Sequence, residues 1–341
     1  MPIVLTSLAF LLSALCAGVM GYAIQRGATC TVAAVDEVLT KRSARRLASL
    51  LEASLWVAGG LLLLQGLQLH PVMPKGYALS GWTVLGAALL GLGAWVNGAC
   101  VFGAIARFGS GQWAYALTPL GFYLGCLSVP WLFAPPAPHK LADVSPVLLA
   151  PPWLAGLFVL FVVWRLARPW WRRTQSSGEP ARAPLLQRAG LAPAQRVWSP
   201  HAATIVIGVT FLVMLVLVGA WAYTDLLAEL ARGMAVNSLA RSVLLLAMLL
   251  GAAWGGWTAS RWRSTPLTAT QAFKCLSGGA MMGWGSVLIP GGNDGLILIG
   301  MPLLWPSAWV AISVMVLVIA SAQLLAGARA APVPPLPKIR D

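Results

Sequence analysis

Cutting the chain at every Asp, Glu, Lys and Arg leaves nine uncharged stretches of 19 or more residues: 1–25, 53–74, 76–106, 108–139, 144–164, 197–224, 242–260, 275–293 and 295–328. A helix needs about 20 apolar residues to cross the hydrocarbon layer, so the pattern predicts an all-α integral membrane protein with about nine transmembrane helices. Two stretches hold more than one crossing requires. In 76–106 a kink or re-entrant piece around Asn97 to Gly103 would use the excess. In 295–328, Pro302 and Pro306 should stop a half-helix before a final full span, because proline removes a backbone donor and clashes with the preceding turn. Irregular backbone at membrane depth survives only against protein or a watered cavity, so these breaks are expected to line a path.

The segment from Trp170 to Pro200, rich in Arg, Pro, Ala and Gln, divides the apolar stretches five against four. The organisation expected is a first transmembrane half-repeat at 1–168, a cytoplasmic basic linker at 169–200, a second half-repeat at 201–330 and a short tail at 331–341. Two weak correspondences relate the halves: Gln25-Arg26-Gly27 to Ala231-Arg232-Gly233, and Gly98 to Gly103 with Gly291 to Gly295. With re-entrant half-helices approaching from opposite sides they spell an inverted repeat, an arrangement in which transporters place their substrate path at the repeat interface.

Composition agrees with the pattern and adds orientation. The 341 residues are 59% hydrophobic and only 9% charged, against about 25% charged in an ordinary soluble domain. The net charge of +14 lies in clusters between apolar stretches, which argues against nucleic acid. Alternating the crossings puts 17 of the 23 basic residues on one side, including Lys41 to Arg46, Arg165 to Arg196 and the tail. The positive-inside rule then gives an external N-terminus and a cytoplasmic C-terminus. Residues 1–25 lack a basic leader and read as a retained first span.

Candidate chemistry is sparse. The five cysteines form no Cys-x-x-Cys pair or Cys/His cluster, so neither a disulfide framework nor a metal site is expected. Cys100, between Gly98 and Gly103, offers a weak donor and a polarizable surface to a soft sulfur atom, or is simply a small core residue. Cys30 could face the same path, or pack at a helix start. Arg26 could attract an anion or mark the interface. Asp294, beside Asn293 and three glycines, could carry a proton, hold a cation, or cap a half-helix. Asn97 and Asn293 would frame the broken ends. Glu52 is expected to pair with Arg45 or Arg46. Cys16, Cys126, Cys275 and the glycine rows fit close helix packing. No second catalytic group accompanies either path cysteine, so the chain reads as a non-enzyme without a cofactor.

Three motifs carry a resemblance. Gln25-Arg26-Gly27-x-x-Cys30, then Gly93-Ala94-x-x-Asn97-Gly98-x-Cys100-x-x-Gly103 with Arg107, Gly109 and Gly111, and finally Gly278-Gly279-x-x-Met282-Gly283-x-Gly285 leading to Gly-Asn, resemble the YeeE/YedE membrane proteins, which include thiosulfate transporters. The resemblance implies inverted half-repeats around an hourglass-like path where cysteines of both halves handle thiosulfate, with a sulfur-carrier or rhodanese-like protein as a possible cytoplasmic partner and lipid around the chain. Cys30 and Cys100 match the first-half cysteines. Gly292 stands where a Gly-Cys-Asn motif would carry its thiol. Three functions are therefore weighed: transport of a small sulfur-containing anion such as thiosulfate past Cys100 and Cys30, transport or channelling of another small solute with Asp294, and membrane sulfur transfer or sensing through a Cys100 persulfide.

Overall fold

A computed structural model describes residues 5–69, 73–141, 145–174, 198–234, 237–260 and 262–329. The described residues form helices joined by short loops, with isolated bridges as the only extended pairing among them. Six helical segments are long and apolar enough to cross a membrane: Leu8–Lys41, Arg45–Gly66, Gly81–Gly109, Pro200–Val218, Ser238–Thr258 and Pro306–Gly327. The tail 331–341 and most of the linker, 175–197, lie outside the described residues.

The first part of the chain runs α1 (Leu8–Gly27), α2 (Thr31–Lys41), α3 (Arg45–Gly66), α4 (Gly81–Asn97), α5 (Val101–Gly109), α6 (Leu117–Leu132) and α7 (Trp153–Thr174). The second runs α8 (Pro200–Val218), α9 (Tyr223–Ala231), α10 (Ser238–Thr258), α11 (Ala269–Leu288), a short helix of α (Asn293–Gly295) and π (Leu296–Gly300) turns, and α12 (Pro306–Arg329). Helix starts follow ordinary capping chemistry. Ser7, Ser199 and Thr268 each accept an amide of the following turn, and Pro200 occupies a first-turn position that needs no donor. Many large apolar side chains face outward, Leu8, Leu250 and Trp131 among them, as lipid-facing surface requires.

Glycine sets the closest helix crossings. In α4 against α11, Gly86 lies on Gly285 and Gly93 on Gly278, so the two helices run antiparallel. In α1 against α10, Gly18 faces Gly251 and Gly21 faces Met248 and Ala252, with Arg26 reaching Thr258 further along, so these run parallel. Without a hydrophobic force between helices in lipid, such backbone approach supplies the packing energy. The first part does not form a separate bundle: α1 packs on α8 and α10, and α4 on α11 and α12.

Two sequence expectations change. Glu52 bonds Arg165 of α7 at 3.1 Å and His201 of α8, whereas Arg46 reaches back to Glu37 of α2 at 3.3 Å. The reason is that Arg46 sits at the α3 terminus under the α2–α3 turn, while Glu52 faces the neighbouring helices. The break following α8 is Gly219 to Ala222, and Ala231-Arg232-Gly233 lies one short helix later, so that proposed counterpart of Gln25-Arg26-Gly27 is displaced.

Candidate functional site

Two helix breaks of the first part meet. Helix α1 stops because Ala28 turns left-handed (φ 47°) and its amide closes on the Gln25 carbonyl at 3.3 Å. Cys30 then caps α2 in extended backbone. Helix α4 stops at Gly98 (φ 72°), where a side chain would be strained, and Cys100 caps α5. Both thiols are buried. The Thr31 amide, first in α2, donates to Cys100 Sγ at 3.2 Å. Gly103 makes room, since a Cβ there would lie 2.5 Å from Cys30 Sγ.

The bend at Cys100 is tied down on its neighbours. Asn97 Nδ2 donates to the Ala99 carbonyl at 2.7 Å, and its Oδ1 accepts from Thr118 at 3.0 Å. Arg107 donates to the Gly98 carbonyl at 2.9 Å and to the Tyr115 hydroxyl at 2.6 Å. Arg26 is fully buried, with Nη2 donating to Thr258 at 2.7 Å and its guanidinium 5.0 Å over Tyr22. The structure thus brings Cys30, Cys100 and Asn97 together and places Arg26 at the α1–α10 crossing.

The breaks of the second part carry different chemistry. Ala222 caps α9 and Gly292 caps the short helix. Asp294 accepts from the Thr224 amide at 3.3 Å, from the Thr224 hydroxyl, and from the Gly295 amide at 3.0 Å. A Cβ at Gly292 would lie 2.6 Å from Thr224 Cβ, so no side chain fits there while Thr224 holds Asp294. Asp225 lies against the short helix, 3.3 Å from where a Gly295 Cβ would be. Asn293 has no exposed surface, and its amide group finds no hydrogen-bond partner among the described residues. The Tyr223 hydroxyl donates to the Val101 carbonyl at 3.0 Å, which joins this cluster to the break at Cys100.

Open space is unequal at the two ends. A cavity of about 350 Å³ opens between Lys75, Lys140, Glu229 and Arg232 and reaches Asp225 and Gly295. Its wall includes a strap in which Tyr77 bridges Lys140, with the Ala78 amide donating to the His139 carbonyl and the Leu141 amide to the Gly76 carbonyl, each at 2.9 Å. Beside Cys30, Arg46 and Pro200 the space is only about 10 Å³, room for one water at most. A family model described as sulphur transport matches residues 26–320. The chain belongs to the sulphur transport family.

No curated protein matches the chain. Membership of a transport family, together with the apolar helices, makes this a multi-pass membrane protein. Its sulphur transport match spans both thiols and the acidic cluster alike. Sequence reasoning missed Tyr223, Thr224 and Asp225. Asp225 marked the end of an uncharged stretch and so read as a boundary. Gly219 followed by Trp221, Tyr223 and an acid was the available signal, since an acid this close to apolar sequence is costly. Cys126 and Cys275 are buried on helix faces, with Cys126 Sγ 3.5 Å from the Gly283 carbonyl.

Proposed function

We propose that this member of the sulphur transport family carries a small sulfur-containing anion such as thiosulfate inward across a bacterial inner membrane, past Cys100 and Cys30. The observation that carries the reading is that two cysteines from separate helix breaks both lie at the N-terminus of α2, where Cys100 Sγ already accepts a backbone amide. An S–H donor, a polarizable surface and a helix N-terminus together suit a soft anion.

In this reading the halves form an inverted repeat, with α1 to α6 equivalent to α8 to α12 and α5 matching the short helix. Support comes from direction: α1 against α8, where Gly27 meets Ala203, and α4 against α11 are equivalent pairs, and both run antiparallel as inversion demands. The six long segments together with α6, α7 and α11 make nine crossings. The N-terminus is then external and the C-terminus cytoplasmic. Lys75, Lys140 and Arg232 ring an outer cavity, Arg46 lies inside, and a cytoplasmic sulfur-carrier protein would receive the product. Moving a dianion inward against an inside-negative potential costs about 2.3 kcal/mol per charge for each 100 mV, so the reading requires a driving force.

Uptake of labelled thiosulfate by proteoliposomes tests the role. Cys100→Ala should cut uptake at least tenfold, and uptake equal to the intact protein rejects it. A second reading, a different solute handled by Asp294, is favoured by the carboxylate that stands where Gly292 leaves no thiol. It expects Asp294→Asn to abolish transport while Cys30→Ala and Cys100→Ala transport normally.

A further inference from the structure

We infer that Asp294 is a tethered stand-in for the transported anion, and that a proton arriving through the outer cavity neutralises it so that anion and proton move inward together. The inference rests on the anion-transport reading above. In the first half, the Thr31 amide at the start of α2 donates to Cys100 Sγ; in the second, the Thr224 amide at the start of α9 donates to the Asp294 carboxylate. A helix N-terminus carries roughly half a positive charge and serves one anion well. While Asp294 is ionised it occupies the donors that an incoming oxyanion needs. Adding a proton to its carboxylate oxygen weakens its hold on Thr224 and Gly295, whose N–H groups then turn to the substrate. Only an O–H bond forms, and it breaks again on the inner side.

Two further observations indicate that something else visits this place. Asn293, wholly buried at the same break, holds an amide without a partner among the described residues. Ser286, 2% exposed, lines the outer cavity with a hydroxyl equally without one. Both suit an oxyanion, the amide through its N–H and the serine through its O–H. The cavity itself leads from Lys75 and Lys140 to Asp225 and to the backbone of Gly295, the residue after Asp294, so a proton from outside would pass by way of Asp225. Asp294 faces Tyr223 and Asp225 of α9; Asp225 in turn faces Glu229 of α9 and Arg241 of α10, which is bonded to Glu229, and Cys100 at the α5 cap faces Tyr223. Arg232 and Tyr77 close the outer side.

The test has two arms. In infrared difference spectra of the purified protein between mildly alkaline and mildly acid buffer, a protonated-carboxyl band should appear that Asp294→Asn removes and Asp294→Glu keeps. Added thiosulfate should strengthen it at fixed pH. In proteoliposomes, external acid should raise thiosulfate uptake severalfold, and in Asp294→Asn the ratio of acid to alkaline uptake should fall to about one, with Asp294→Glu restoring the stimulation. The absence of a titrating band assigned to Asp294 overturns the inference, as does an unchanged acid ratio in Asp294→Asn. Sodium-driven uptake without acid stimulation overturns it too. If the intact protein takes up no thiosulfate under either condition, the transport reading fails and the infrared arm alone decides the proton site.

Discussion

Position 292 shows how one side chain dictates its neighbours. The space a Cβ would need there is filled by Thr224, and Thr224 stays because it holds Asp294. Gly292, Thr224 and Asp294 are therefore mutually dependent. Gly292→Ala should cost roughly 1–3 kcal/mol of stability through overpacking, read as a lower melting temperature in detergent. Thr224→Ala in that background should recover part of the loss by removing the nearer atoms. At this scale the sequence was legible where spacing spoke. The two motif cysteines both lie at the N-terminus of α2, and Asn97 lies at the bend beside them. It was silent where partners come from distant segments: Asp225 touches Gly295 across some 70 residues, and Glu52 chooses Arg165 and His201 over nearer arginines.

Glycines divide into those that let the backbone turn and those that let helices touch. Gly98, at φ 72°, ends α4, and Gly98→Ala should cost about 1–2 kcal/mol, again seen in thermal unfolding. Gly21 lies directly on the α10 backbone, so Gly21→Ala should reduce folded yield on size-exclusion chromatography. Gly66→Ala meets nothing within 4 Å and should change stability by less than about 0.5 kcal/mol. The excess length of 76–106 made the break at Gly98 readable, and the prolines did the same for the break before α12. The break at Gly219 to Ala222 was hidden because one uncharged stretch ran straight across it, and hydropathy does not register a change of backbone direction.

Among the described residues, the helix directions fit alternating crossings. Helices α1 and α10 are parallel, as are α3 and α8, where Gly208 lies on Ala53 and Gly60 on Leu212. Alternating crossings assign each of these pairs one common direction. With the proposed external N-terminus, a membrane-impermeant maleimide applied to intact cells should label Lys140→Cys and spare Lys41→Cys until the cells are opened. All-helical membrane architecture was legible from apolar stretches because lipid leaves the chain little choice. Which helices interleave was not, because every such face is apolar and only glycine spacing distinguishes them. The interleaving of α1 with α8 and α10, and of α4 with α11 and α12, carries a mechanical consequence. In the proposed transport cycle, neither part of the chain could tilt as a separate lever without prising apart glycine-lined seams on several sides, which would leave the working stroke to the short segments between them. Such a stroke hardly disturbs the perimeter that meets the acyl chains, and turnover should therefore be insensitive to bilayer thickness.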